Sequence, residues 1–196
     1  MMRPDSSFIV EKAPFYSRSV EQEAGGIHGK HCLVVHNFEE ERWCGVAQNS
    51  KLLRQGKYFF RGYFQLLSQK GEAEIRFYKG RDIIDWESPI LSLPIENLSA
   101  QGSIIEIPFS YEGEEAWCAF SIFLSPGTKL LLDAFSLKPA DTEKGWRPDV
   151  IEGLKRVNPK LIRFPGGCFA SFHDWKDAIG PMDSRKPEHP SFWGDL

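Results

Sequence analysis

No run of apolar residues in this chain approaches the roughly 20 needed to cross a bilayer as a helix, and the opening MMRPDSSFIV lacks the apolar segment of a signal peptide. The chain as given therefore reads as soluble and cytoplasmic. Nor is there a block of like charge. Against 24 basic residues stand 27 acidic ones, a net charge of -3, with no basic run able to neutralise phosphates. That balance argues against nucleic acid and anionic membrane as partners. Cysteine is scarce, and the four present, Cys32, Cys44, Cys118 and Cys168, form no C-x-x-C pair, which argues against zinc ribbons and dithiol redox motifs. Buried thiols in a reducing compartment are the expectation. Internal repeats and low-complexity tracts are also lacking. What remains is 41% hydrophobic and 26% charged residues, ordinary for a globular chain, with aromatics on the high side at 13%.

From about residue 30 to 138 the apolar residues alternate with the two-residue period of strands. Tyr58, Phe60, Phe64 and Leu66 fall on one face, Arg61, Tyr63 and Gln65 on the other. Further strands are predicted over 31–37, 43–48, 72–79, 103–111, 116–124 and 129–137, parted by turn signals such as Gln69-Lys70-Gly71 and Ser125-Pro126-Gly127. Short strands, each half apolar and half polar, point to two antiparallel sheets packed face to face in a jelly-roll-like β-sandwich.

After Lys138 the pattern changes. Residues 139–144 read as a polar linker, and Arg147-Pro148-Asp149 opens a helix in which the missing proline N–H costs little. Val150, Ile151, Leu154 and Val157 keep helical spacing until Asn158-Pro159 stops it. Lys160 to Phe164 then reads as a short apolar strand ending at Pro165-Gly166-Gly167. Helix, turn and buried strand are the repeating parts of an α/β barrel or open α/β sheet. Arg163 lies in that strand, and a guanidinium taken out of water needs a carboxylate or several acceptors. Two readings stay open for it: partner of a catalytic carboxylate, or an edge residue whose stem covers apolar surface. Residues 168–196 read as a long functional loop.

The string Leu161-Ile162-Arg163-Phe164-Pro165-Gly166-Gly167-Cys168-Phe169, with Asp174-Trp175-Lys176-Asp177, Ile179-Gly180-Pro181, Arg185 and Trp193-Gly194, closely resembles the α-L-arabinofuranosidases of glycoside hydrolase family 51. Leu132 to Pro139 resembles the last strand of the carbohydrate-binding-module-like sandwich of many members, and Gly145 to Val150 the barrel helix that follows. The match is strong from Asp133 to Leu196 and generic before it. The resemblance implies a sandwich over 1–138, a linker over 139–144 and a partial (β/α)8 barrel over 145–196. It also implies a retaining enzyme that removes terminal arabinofuranosyl groups from arabinan and arabinoxylan. No cofactor is implied, and a homo-oligomeric full-length enzyme is left open. Arg163 is then the arginine beside the nucleophile, and Trp193 lines the sugar site. Cys168 takes the position after P-G-G that is asparagine in some members and cysteine in others. With Trp175 these make up the substrate-binding candidates.

Retaining glycosidases need two carboxyl groups about 5 Å apart, and the family's two glutamates belong to later barrel strands. A (β/α)8 barrel takes about 250 residues, whereas only residues 145–196 follow the sandwich. The chain is therefore expected to be a fragment, inactive alone, with its carboxylates beyond residue 196 and the first barrel strand missing before Met1. The loop aspartates Asp174, Asp177, Asp183 and Asp195 sit among Lys176, Arg185 and Lys186 and read as solvated or salt-bridged. No metal is expected. His173 and His189 lack an H-x-x-x-H spacing, and His28 and His31 lack a third ligand. Gly25 to Lys30 has neither the spacing nor the setting of a phosphate loop and reads as a hairpin turn.

The alternative function is a non-catalytic carbohydrate-binding sandwich, which stacks sugar faces on exposed aromatics. Its candidates are Trp43, Tyr63, Tyr78, Trp86 and Trp117, of which Trp86 in Asp85-Trp86-Glu87 is the foremost for exposure. A third reading, a sandwich used for protein interaction, requires an exposed apolar patch.

Overall fold

A computed structural model describes residues 20–24, 27, 31–163, 166–167 and 174–180. Among the described residues nine strands form in order: β1 (Val20–Ala24), β2 (His31–His36), β3 (Cys44–Leu53), β4 (Gly56–Leu66), β5 (Ala73–Gly80), β6 (Ile84–Pro94), β7 (Ser103–Tyr111), β8 (Ala116–Leu124) and β9 (Lys129–Pro139). They make a five-stranded sheet, β1-β2-β9-β4-β7, and a four-stranded sheet, β3-β8-β5-β6. Every pairing is antiparallel. The fold is the antiparallel β-sandwich that the alternation predicts.

Alternation decides which side of each strand faces the core. On β4, Tyr58, Phe60 and Phe64 point inward: Phe60 meets Phe120 of the other sheet, Tyr58 stacks on Phe109, Phe60 and Phe64 meet Phe135, and Phe77 joins the cluster through Phe109 and Phe120. Ring centroids 5.3 to 6.5 Å apart, in stacked, tilted and edge-on pairs, lie within the range that aromatic quadrupoles favour. The high aromatic content is therefore spent largely between the sheets. Gly62 occupies the inward slot between Phe60 and Phe64 because the Phe135 ring fills the space of a Cβ. A register shift of β4 against β9 lies there, opposite Ala134 at φ 53°.

Asn37, fully buried after β2, ties one end of the sandwich together. Its Nδ2 donates to the carbonyls of Arg42 (2.8 Å) and Leu124 (2.9 Å), while its Oδ1 accepts from the Glu39 N–H and the Cys44 thiol. Its backbone pairs with Thr128 and Gly127 in the β8–β9 turn.

Two strands go beyond those predicted. β1 is short and polar in sequence, and β6 is an edge strand whose alternation is broken by Pro89 and by exposed polar residues. β7, which with β1 forms the edges of the larger sheet, carries Pro108, and β3, an edge of the smaller, has a register irregularity between Gln48 and Lys51. β1 and β2 pair antiparallel with Ala24 opposite His31; the stretch Gly25 to Lys30, read from sequence as a hairpin turn, lies outside the described residues apart from Ile27.

After β9 the chain turns at Lys144 and Gly145, both at positive φ, with Glu143 and Trp146 exchanging backbone bonds. Helix α1 (Pro148–Val157) follows, with proline in its first turn, Asp149 near its N-terminus and Lys155 and Arg156 near its C-terminus, charges that suit the helix dipole. Asn158 closes it in the left-handed conformation, its N–H donating to the Leu154 carbonyl at 2.9 Å. No residue of α1 is buried.

The strand predicted over 160–164 does not form over its described residues: 160–163 join no sheet. Leu161 is 86% exposed and Ile162 67%. An apolar strand is stable only when flanking strands take its hydrogen bonds and other layers cover its faces, and among the described residues neither is present around 160–163.

Candidate functional site

The glycine turn after residue 163 has part of the expected geometry. Gly167 sits at φ 63°, a conformation glycine adopts without the Cβ penalty. Arg163 folds toward this turn, since a Cβ on Gly166 would stand 3.7 Å from its guanidinium. The side chain is exposed, in keeping with the second of its two readings: with no sheet among the described residues around it, the guanidinium stays in water.

Trp175 opens a 3-10 helix, Trp175–Ala178, and is 63% exposed. Asp174 caps that helix, its carboxylate accepting from the Lys176 N–H at 3.0 Å. The carboxylate is thereby committed to a local capping role. Asp177 lies within the helix. Cys168, His173, Asp183, His189, Trp193, Asp195 and His28 lie outside the described residues, whereas His31 is exposed at the start of β2. Among the described residues no group of three or more His, Cys, Asp or Glu is placed to hold a metal.

Cys32, Cys44 and Cys118 are buried thiols. Burial pushes the Cys118 thiol up to about 11, against an opposing pull from Lys51, so it is protonated and unreactive at neutral pH. The Arg147 and Asp149 side chains pair across the start of α1, and their hydrogen bond lowers the carboxyl and raises the guanidinium.

The aromatic candidates divide between the two outer faces of the sandwich. Trp43, Tyr78, Trp86 and Trp117 lie on the outside of the four-stranded sheet, on the side of Arg76 and Phe123 and opposite the core-facing Cys118, Phe120 and Ile122. Most of that face is covered by its own side chains. The Arg76 guanidinium stacks 5.1 Å from the Trp43 ring centroid and 4.8 Å from that of Phe123, and is anchored by Glu74 at 2.9 Å. Burial works to lower the Arg76 guanidinium, but hydrogen bonds with Tyr78 and Glu74 outweigh it and raise it. Trp86 is half-buried, with its ring 5.0 Å from that of the buried Tyr78. Trp117 is 40% exposed, with Arg81 stacked 4.8 Å over it.

Tyr63 lies on the outside of the five-stranded sheet, in a row with Phe59, Arg61 and Gln65 along β4. Phe59, 46% exposed, is an aromatic that sequence reasoning passed over. Its signal was there: it alternates with Tyr58 and Phe60, both core residues, and so had to face out.

The chain matches no known family model. It is 49% identical over 54 residues to an intracellular exo-alpha-(1->5)-L-arabinofuranosidase of Acetivibrio thermocellus. It is 43% identical over 51 residues to an intracellular exo-alpha-L-arabinofuranosidase of Bacteroides ovatus. Over 73 residues it is 36% identical to alpha-L-arabinofuranosidase 1 of Arabidopsis thaliana. These stretches cover 28%, 26% and 33% of this chain, and 11%, 10% and 10% of the relatives. The matched part thus spans about a tenth of the length of these curated relatives. Among solved structures, "Family 16 Carbohydrate Binding Module-2" aligns with TM-score 0.45 and 10% identity over 61% of this chain and 84% of that one. "CBM4 structure and function" aligns with TM-score 0.46 and 14% identity over 63% and 89%. No described helix is long and apolar enough to cross a membrane. The chain therefore combines an antiparallel β-sandwich with a stretch homologous to proteins named α-L-arabinofuranosidase.

Proposed function

We propose that this chain is part of a retaining α-L-arabinofuranosidase that releases terminal arabinofuranosyl groups from arabinan- and arabinoxylan-type glycans. The observation that carries the reading is 36–49% identity to relatives of that name. In the reaction, one carboxylate attacks the anomeric carbon while a second carboxylic acid protonates the leaving oxygen, about 5 Å apart across the bond. Of the loop aspartates, Asp174 is engaged as a helix cap. Both groups are expected in sequence beyond the matched tenth, and the chain alone is inactive. Arg163, in water beside the Gly166–Gly167 turn, serves the assembled site as a cation that holds the nucleophile ionised. Cys168, Trp175 and Trp193 contribute to the sugar pocket. Two relatives are named intracellular, which together with three buried thiols supports a cytoplasmic setting.

Hydrolysis of p-nitrophenyl α-L-arabinofuranoside tests this. The 196-residue chain is expected to be inactive, and a protein extended along the same reading frame active. Arg163→Ala in the extended protein is expected to lower kcat by at least about a hundredfold, the ~2.7 kcal/mol scale of one lost electrostatic contact to the transition state. An inactive extended protein overturns the reading. Activity in the short chain overturns the assignment of the carboxylates and turns attention to Asp174, Asp177 and Asp183.

A non-catalytic glycan-binding sandwich is the second reading. It is favoured by the outward placement of Trp86 and Trp117, and it predicts retention on polysaccharide whether or not the extended protein hydrolyses anything.

A further inference from the structure

We propose that the outer face of the five-stranded sheet, centred on Phe59 and Tyr63 of β4, binds a neutral polysaccharide chain. The proposal rests on the glycan-directed reading above only for its choice of probe; the face itself is read from its register and chemistry.

The register lays the surface out in rows. Lys138, Phe59 and Pro108 form one, Ser136, Arg61 and Glu106 the next, then Asp133, Tyr63 and Ile104, and Gln65 beside Leu131. Phe59 and Tyr63 are four residues apart on a central strand, about 13 Å at the usual rise, which leaves room for more than one sugar ring between and over them. Both rings are additional to the core, which the inward residues of β4 already fill. The turn before β7 is shaped around Tyr63: Gly102, at φ 71°, leaves the space that the Tyr63 hydroxyl occupies. Gln65 is held by a 2.9 Å bond to the Ala100 carbonyl.

Three features select the occupant. The rings offer apolar faces to C–H surfaces of a sugar, while the row between them is made of hydrogen-bonding side chains. A protein interface places its apolar anchors at the centre and its polar groups at the rim; here the order is reversed. The charges cancel as well. Arg61 pairs with Glu106 at 3.3 Å, and Lys138 and Asp133 flank them with opposite sign, so a nucleic acid or a strongly acidic partner finds no net attraction. The opposite sheet lacks an equally open row, because Arg76, Arg81 and the Tyr78–Trp86 pair cover its rings.

Affinity electrophoresis of the intact 196-residue chain through gels containing linear (1→5)-arabinan, arabinoxylan or unsubstituted xylan tests the assignment. Retardation is expected in at least one of them. Phe59→Ala and Tyr63→Ala are each expected to lower the association constant about tenfold or more, equivalent to ~1.4 kcal/mol. Phe59→Tyr, which keeps the ring, and Ile83→Ala, an 89% exposed residue between β5 and β6 on the other sheet, are expected to migrate like the parent chain. The proposal is overturned by free migration of the parent in every gel, by wild-type retardation of both alanine variants, or by loss of retardation in Phe59→Tyr or Ile83→Ala. Its failure is separable from failure of the enzymatic reading, because the hydrolysis assay on the extended protein uses a soluble monosaccharide glycoside that needs no polymer-binding face.

Discussion

Asn37 shows how much a single polar side chain can organise. Its amide bridges the loop before β3 and the end of β8, and it accepts two further bonds, leaving its inventory well satisfied in a place where water does not reach. Asn37→Ala removes the amide and leaves the Leu124 carbonyl without that donor. A loss of about 3 kcal/mol is expected, read as a lower urea midpoint with an unchanged m-value. Cys118 gives a test in pH. The folded chain holds its proton up to about 11, against an ordinary value of 9.0. Between those values the unfolded thiol binds fewer protons than the folded one, so stability present below pH 9 is lost as pH rises toward 11. The decline in urea midpoint from pH 8.5 to 10.5 is expected to be shallower in Cys118→Ala than in the parent. The same burial shields Cys32, Cys44 and Cys118 from a water-soluble disulfide reagent at pH 8 until the chain is denatured.

Two glycines in strands provide an internal comparison at the scale of the element. A Cβ on Gly62 would run into the Phe135 side chain, whereas one on Gly45 would run into the Ile122 carbonyl on the neighbouring strand. A ring shifts more readily than a paired backbone. Gly62→Ala is therefore expected to cost about 1–3 kcal/mol and Gly45→Ala more, as measured by thermal or urea unfolding. The strands themselves were readable in sequence wherever one face is buried and the other wet, as in β4, β7 and β9, and the helix was readable from Pro148, its apolar spacing and Asn158-Pro159. Alternation fails where its physical cause is absent. β6 is an edge strand and largely exposed, so its residues obey no inside–outside rule. The 160–164 segment failed in the opposite sense: its apolar content is real, but what would cover it is not among its described neighbours. For Arg163 two settings stayed open in sequence, because the buried one depended on a strand that its described neighbours do not form. Phe59 was legible from the outward face already assigned to Arg61, Tyr63 and Gln65, one alternation further along β4.

At the scale of the whole molecule, the sandwich and the segment after it are held to very different degrees. Val150, Leu154 and Val157 line α1 without being buried, and Leu161 and Ile162 continue the exposed apolar surface. Because no residue of α1 is buried, a chain ending at residue 144 is expected to keep the unfolding free energy of the longer one within about 0.5 kcal/mol in urea titration. The same surface is expected to cause concentration-dependent association in sedimentation, reduced by Leu154→Glu, which puts a charge in the middle of the stripe. The sheet margins set what form that association takes. Pro89 and Pro94 in β6, Pro108 in β7, the irregular register of β3 and, at the remaining margin, the short β1 with its two glutamates deny an incoming strand the long, regular row of donors on which cross-β growth depends. Crowded samples should therefore cloud into detergent-dispersible clusters joined through side chains, and not into thioflavin-binding fibrils templated by backbone.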